Sequence, residues 1–352
     1  VTALRDILLR QIALNGPMTV ADYMTACLLH PVHGYYTTHD PLGAQGDFIT
    51  APEISQMFGE LVGLALAQAW LDRGSPAPFC LAELGPGRGT LMIDLLRATR
   101  RVPGFHAAVR VVLVEASDRL RAAQSRAVPT AEWVGGVDDL PDLPLFLVAN
   151  EFFDALPIRQ FLRDGDGWRE RLVDAADGDL RFALSEIGPV PRLEARRQAT
   201  QPGDTVETCA AAQSIAQVLG ERIASHGGVA LLFDYGQDSP VGDTFQAVKD
   251  HKNTNPLIDP GAADLTAHVD FEALATAASC PASATVPQGV WLERLGITAR
   301  ATALAQNLTG AALENHVAAH RRLTHPDEMG ELFKVMALHD TAGPPPGLEP
   351  RL

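Results

Sequence analysis

Five apolar residues and one glutamate, Phe79–Leu84, run into Gly85-Pro86-Gly87-Arg88-Gly89-Thr90, and an amphipathic helix pattern opens directly behind them. No other segment restricts the fold as much, because a buried strand must turn into a helix within a few residues. Glycines at alternate positions accept positive φ and let a ligand approach the backbone closely. The segment therefore reads as a βα unit with a ligand cradle at its turn.

The same texture continues. Val109–Glu115 reads as a strand, Ser117–Ala127 as a helix, Ala131–Val134 as a short strand and Leu145–Asn150 as a buried apolar strand. Strands that alternate with helices imply right-handed crossovers and a parallel sheet covered on both faces. A mixed α+β domain is the alternative reading. Upstream, Val1–Ala13 and Thr19–His30 are helical, and Pro52 starts a third helix expected to run to about Leu71.

From Ile158 the pattern changes to short segments separated by hairpin signals, Asp164-Gly165-Asp166-Gly167 and Asp177-Gly178-Asp179. They predict an antiparallel meander inserted after the fourth strand. Cys209–His226 is a helix and Gly228–Tyr235 a fifth buried strand, with a last strand at Leu332–Leu338 and a disordered tail at Gly343–Leu352. The expected organisation is a helical region over 1–75 with a cofactor-covering loop at 34–50, a core over 76–157 and 204–352, and an inserted subdomain over 158–203. The meander has two candidate roles, a dimer face that would make the chain a homodimer or a substrate platform, and the sequence favours neither.

Composition excludes several classes. The 352 residues carry 28 Lys plus Arg against 43 Asp plus Glu, a net charge of −15, with no basic cluster to grip a phosphate backbone. Nucleic acid is not an expected partner. The apolar runs are far shorter than the ~20 residues that span a bilayer, so a soluble chain without membrane insertion is expected. The four cysteines are scattered, which predicts free thiols in a reducing compartment, and no His or Cys spacing suggests a metal. Lys249, Lys252 and Lys334 are the three lysines, a bias read as the mark of a GC-rich bacterial genome; the expected location is the bacterial cytoplasm.

Spacing narrows the ligand. Dinucleotide folds use GxGxxG and set a helix N-terminus against pyrophosphate. Here the third glycine comes two residues after the second, and Glu83 precedes Gly85 by two. A carboxylate there repels pyrophosphate but suits an ammonium or sulfonium, as in S-adenosylmethionine. Glu115, ending the second strand, can accept both ribose hydroxyls, a role shared with dinucleotide enzymes. Asp138 and Asp139 lie beyond the third strand, where one reading has an acid accept the adenine N6 hydrogens and the other is a solvated loop.

The fourth strand delivers Asn150-Glu151-Phe152-Phe153-Asp154 to the same sheet edge. If the acceptor is a guanidinium, carboxylates must pair with the cation and orient one nitrogen towards the methyl group, since Arg favours planar carboxylate partners. Glu151 is the first candidate, Asp154 the second, with Asn150 beside them; Asp154 is equally readable as a turn or N-cap residue. Asp47, in Gly46-Asp47-Phe48-Ile49-Thr50, could meet an ammonium group, although capping of the next helix by Thr50 explains most of that segment.

These runs, with Asp234-Tyr235-Gly236, Asp250-His251-Lys252, Asp264-Leu265-Thr266 and Met329-Gly330-Glu331, resemble the mitochondrial dysfunction protein A (MidA) family over about 16–338. The resemblance implies an α/β, class I S-adenosylmethionine-dependent methyltransferase (Rossmann-like) core that methylates arginine on a protein, in the mitochondrial member a core subunit of respiratory complex I. It implies cofactor contacts from Gly46, Asp47, Glu83, Gly85, Gly87 and Glu115. It also implies functional roles for Asp250, His251, Lys252, Asp264 and His268 that spacing does not supply. The alternatives are a non-catalytic complex I assembly chaperone on the same fold, a methyltransferase for another acceptor, and a nicotinamide-dependent oxidoreductase, which the glycine spacing disfavours.

Overall fold

The computed structural model describes residues 2–38, 50–249 and 251–351. Gly46, Asp47 and Asp250 lie outside the described residues. The chain divides into two compact units, one of Val1–Phe48, Asp154–Ala212 and Ser239–Asp270, the other of Ile49–Phe153, Gln213–Asp238 and Phe271–Leu352.

The second unit holds the alternating pattern. Its strands are β1 (Phe79–Leu84), β2 (Val109–Val114), β3 (Glu132–Val134), β4 (Leu145–Asn150), β5 (Gly228–Gln237), β6 (Val286–Pro287) and β7 (Phe333–His339), in the order β6-β7-β5-β4-β1-β2-β3. The first five are mutually parallel, and β7 runs antiparallel to β5 and β6. The chain leaves β1 towards β2 on one side and returns through β4 on the other. Strand order therefore reverses between β1 and β4, and the crevice outside their carboxyl ends is where open α/β sheets bind ligands. Every residue of β1 and β4 is buried, as strands covered on both faces require. The core under this sheet gathers Phe58, Trp70, Phe79, Phe105, Phe146, Phe233 and Trp291.

Two expectations fail here. The helix predicted from Pro52 to Leu71 is two helices, Ala51–Ile54 and Gln56–Asp72, broken at Ser55. Ser55 is extended (φ −160°, ψ 136°), and its side chain accepts the Met57 N–H, so a capping residue outweighs the apolar periodicity across it. The tail expected to be disordered packs instead. Leu348 is buried in the core, the Trp291 indole donates to the Pro346 carbonyl at 3.1 Å, and Ala284 N–H donates to the Glu349 carbonyl at 2.8 Å. Its proline-rich composition masked one well-placed apolar residue and a donor that needed an acceptor.

The first unit contains the predicted meander as Arg159–Asp164, Gly167–Ala176 and Asp179–Leu184, all antiparallel. Met18–Thr19 and Thr205–Thr208 extend this sheet, and a second sheet pairs Gln246–Lys249 with Lys252–Thr254 and Asp264–Thr266. Helices Ala3–Asn15 and Val20–Leu29 bury Leu4, Leu8, Ile12, Tyr23 and Met24 with Ile158, Val173 and Leu265, giving this unit its own core. Among the described residues, no helix is long and apolar enough to cross a membrane.

Candidate active site

The β1 turn leaves the sheet through three glycines in the left-handed region, at φ 58° for Gly85, 53° for Gly87 and 83° for Gly89. Gly85 N–H donates to the Val114 carbonyl at 3.1 Å, which holds the turn against the end of β2. A Cβ at Gly85 would lie 2.9 Å from Phe152 Cδ2. Both the dihedral and the close approach of an aromatic ring thus require glycine at this position. Gly89 is the N-cap of helix Thr90–Ala98 and offers no side chain to its free N–H groups.

Glu83 takes up that deficit. It lies between Leu113 on β2 and Val148 on β4, is buried, and accepts the Met92 N–H from the first turn of that helix. Burial pushes its carboxyl up to about 8, against the pull of that N–H. Its Oε2 is buried without a hydrogen-bond partner. Such an atom is costly unless a ligand supplies the missing donor.

Glu115 is also buried. Its Oε1 accepts Ser117 N–H at 2.8 Å and its Oε2 accepts Gln124 Nε2 at 3.2 Å. Burial raises its carboxyl above the ordinary range and these donors oppose the rise. Gln124 Nε2 also donates to the Gly87 carbonyl at 2.8 Å, so one side chain touches both the glycine turn and Glu115. Arg121 Nε donates to the Glu115 carbonyl at 2.7 Å and fixes its backbone.

The end of β4 bends sharply. Glu151 is at φ 50°, a conformation that costs a residue with a Cβ about 1–3 kcal/mol and recurs at functional sites. Its N–H donates to the Phe233 carbonyl at 2.9 Å, and its Oε1 accepts Ala51 N–H at 3.0 Å and Asn150 Nδ2 at 3.2 Å. Thr50 sits at the N-cap of helix Ala51–Ile54 but makes no side-chain cap bond. The capping role expected of Thr50 is thus filled from β4, by Glu151. Asn150 Oδ1 is buried without a partner.

Asp234, near the end of β5, holds the next turn. Its Oδ2 accepts Phe152 N–H at 3.2 Å and Phe153 N–H at 2.9 Å, and its Oδ1 accepts Tyr235 N–H at 3.0 Å. The rings of Phe152 and Phe153 meet edge to face at 5.3 Å. Among the candidates, Glu83, Gly85, Gly87, Glu115, Asn150 and Glu151 thus lie on neighbouring turns at one sheet edge. Asp138 is exposed on the 3₁₀ turn Val137–Asp139, with its carbonyl accepting from Arg222 at 2.7 Å. Asp154 falls in the other unit, buried near the Tyr36 hydroxyl, which donates to Asp264 Oδ1 at 2.9 Å. His268, half-buried in that unit, has its ring pushed towards the neutral form by burial.

Sequence reasoning singled out neither Gln124 nor Glu53, and it met Asp234 only through a family motif. Glu53 Oε1 accepts Thr90 Oγ1 at 2.6 Å, beside the glycine turn. Gln124 carries a signal in retrospect, as the buried residue of an otherwise polar helix, Asp118–Ala127.

The residues fit a cationic adenosyl ligand better than a dinucleotide. Two buried acids, one with an oxygen lacking a donor, border a glycine turn, whereas a pyrophosphate needs donors there. Among the described residues no group of His, Cys, Asp and Glu could hold a metal ion.

Comparisons with known proteins agree with this chemistry. A family model described as putative S-adenosyl-L-methionine-dependent methyltransferase matches residues 61–288. The chain is 38% identical over 372 residues to a mitochondrial protein arginine methyltransferase NDUFAF7 of Xenopus tropicalis, covering 96% of this chain and 85% of that one. It is 37% identical over 370 residues to the Homo sapiens protein of the same name, covering 96% and 83%. A crystal structure of a COG1565 superfamily member from Burkholderia thailandensis, bound to S-adenosyl-homocysteine, superposes with a TM-score of 0.81 at 29% identity, covering 98% of this chain and 94% of that one. The buried acids and the glycine turn, the matched family model and these relatives together place the chain in the family of S-adenosyl-L-methionine-dependent methyltransferases.

Proposed function

We propose that the enzyme transfers methyl groups from S-adenosylmethionine to an arginine side chain of a protein, with a subunit of respiratory complex I as the candidate acceptor. The bound cofactor supplies a sulfonium-activated methyl group. The backbone of Gly85 and Gly87 lets it approach, Glu83 Oε2 receives its ammonium, Glu115 receives the ribose hydroxyls and Asp138 is the candidate for the adenine amino group. The observation that carries the acceptor assignment is Glu151, a carboxylate held in a left-handed turn at the end of β4 by Ala51 and Asn150, next to the phenylalanine that packs on Gly85. A carboxylate fixed by two donors can pair with a guanidinium and orient one of its nitrogens without moving, which is where in-line transfer gains its rate. The relatives' name, protein arginine methyltransferase, supports the same acceptor.

The test has two parts. Calorimetric titration with S-adenosylhomocysteine is expected to show one site. Mass spectrometry of respiratory complex I from a strain lacking the gene is expected to show an arginine that has lost its methyl groups. An unchanged methylarginine inventory in the complex would remove that acceptor, and NAD binding in place of S-adenosylhomocysteine would overturn the cofactor site.

A further inference from the structure

Gln124 belongs to no motif, yet it is fully buried and its amide is completely used. The Trp133 indole, which can only donate, meets Gln124 Oε1 at 2.8 Å. That contact fixes which end of the amide is oxygen, so both hydrogens of Nε2 face acceptors. One is the Gly87 carbonyl at 2.8 Å and the other Glu115 Oε2 at 3.2 Å. Reversing the amide would set its oxygen against a carbonyl and a carboxylate and leave the indole without an acceptor. The orientation is therefore dictated by chemistry as well as by geometry.

We infer that Gln124 is a positioning residue for the adenosyl moiety: oriented by Trp133, it holds the Glu115 carboxylate in register with the glycine turn so that the two halves of the cofactor cradle present a single geometry. The inference rests on the assignment of Glu115 to the ribose. Ser117 N–H fixes Glu115 Oε1, and Gln124 is the side chain that fixes Oε2. Without it, Oε2 can rotate away from the position in which a carboxylate accepts from both ribose hydroxyls. The Gly87 carbonyl also loses its side-chain donor, so the turn and the acid can move independently. Neither Gln124 nor Trp133 needs to touch the ligand for this.

The test is a double-mutant cycle read by calorimetric titration of S-adenosylhomocysteine, using Gln124→Met, which keeps length and apolar bulk, and Glu115→Gln. Gln124→Met alone is expected to weaken binding about ten-fold, the order of one hydrogen bond to a charged group. In the Glu115→Gln background the same change is expected to cost less than about three-fold, because the group it positions is already altered. A purely structural role predicts equal losses in both backgrounds, and that result overturns the inference. Glu115→Gln binding as tightly as the parent removes the ribose assignment itself, an outcome distinct from an additive cycle. Should Gln124→Met fail to fold, Trp133→Phe keeps an aromatic ring, smaller than the indole, but removes the N–H that orients the amide, and is expected to weaken binding a few-fold in the parent alone. An unchanged affinity for Trp133→Phe with a parent-like melting temperature also overturns the inference.

Discussion

Glu151 Oε1 accepts the backbone N–H of Ala51 at 3.0 Å, so the carboxylate proposed to pair with the acceptor also anchors the start of helix Ala51–Ile54. Charge and anchorage are separable. Glu151→Gln keeps an oxygen for Ala51 and loses the negative charge. It is expected to bind S-adenosylhomocysteine within about two-fold of the parent and to lose methyl transfer by about 10² or more, the scale of a positioned acid–base group. Glu151→Ala should lose both transfer and the anchor, lowering the melting temperature as well. Incorporation of labelled methyl groups into extracts of a deletion strain measures the first effect and a thermal melt the second; full transfer by Glu151→Gln removes the charge from the mechanism.

Gly85 is the position where any side chain is expected to abolish cofactor binding. A Cβ there meets Phe152 at 2.9 Å, and φ 58° strains a non-glycine residue. Gly85→Val should weaken S-adenosylhomocysteine by about 100-fold or more, the combined effect of roughly 1–3 kcal/mol of backbone strain and a displaced ring. The titration that checks this should show a near-parent affinity only if Phe152 can move without consequence.

Asp234 accepts two successive N–H groups, from Phe152 and Phe153, and is 1% exposed. Asp234→Ala leaves both donors without this partner, the Phe153 N–H buried and the Phe152 N–H half-buried, at a cost of about 2–5 kcal/mol, whereas Asp234→Asn retains one acceptor oxygen and should cost less. Denaturant unfolding of the two variants checks the order. Equal stabilities would show that the turn is held by other contacts.

Glu83 gives a pH signature. Its carboxyl in the folded chain is pushed up to about 8, above the ordinary value of 4.5, because burial disfavours its charge. Below pH 4.5 it is protonated in both folded and unfolded states and opposes nothing. Between 4.5 and about 8 the unfolded chain releases this proton and the folded chain keeps it, so stability falls as pH rises through that window. The parent should therefore lose more stability between pH 5 and 8 than Glu83→Gln, which has no carboxyl to titrate. Binding of the ligand's ammonium should draw the proton off Glu83, so titrations in buffers of different ionisation enthalpy near pH 7 should show proton release in the parent and less in Glu83→Gln. Identical pH profiles for the two proteins would contradict the protonated state.

Local chemistry carried much of the fold. Phe79–Leu84 could only be a buried strand, three glycines at alternate positions could only be a turn, and Ser117 before an amphipathic run read as a helix start, where its side chain does accept the Leu120 N–H. Each of these signals is contained within about ten residues, the range over which periodicity and capping act. Glu83 and Glu115 were legible for the same reason, since each ends an apolar strand and must emerge at the same sheet edge.

The contacts that tie these turns and the tail to the rest of the unit were not legible. Gln124 meets Gly87, Asp234 meets Phe152, Glu151 meets Ala51 and Trp291 meets Pro346, at separations from 37 to 100 residues. Residues 239–270 belong to the same compact unit as the inserted meander, and Leu265 enters that unit's core. Such contacts leave no periodic trace, because each joins a single donor to a single acceptor and is favourable only after the sheet has closed the intervening loop. The sequence by itself therefore determined the strands, the glycine turn and the acids that border it. Only the tertiary structure decided how those turns are tied to one another, through Gln124 on Gly87, Asp234 on Phe152 and Glu151 on Ala51, since that depends on where distant donors and acceptors come to rest.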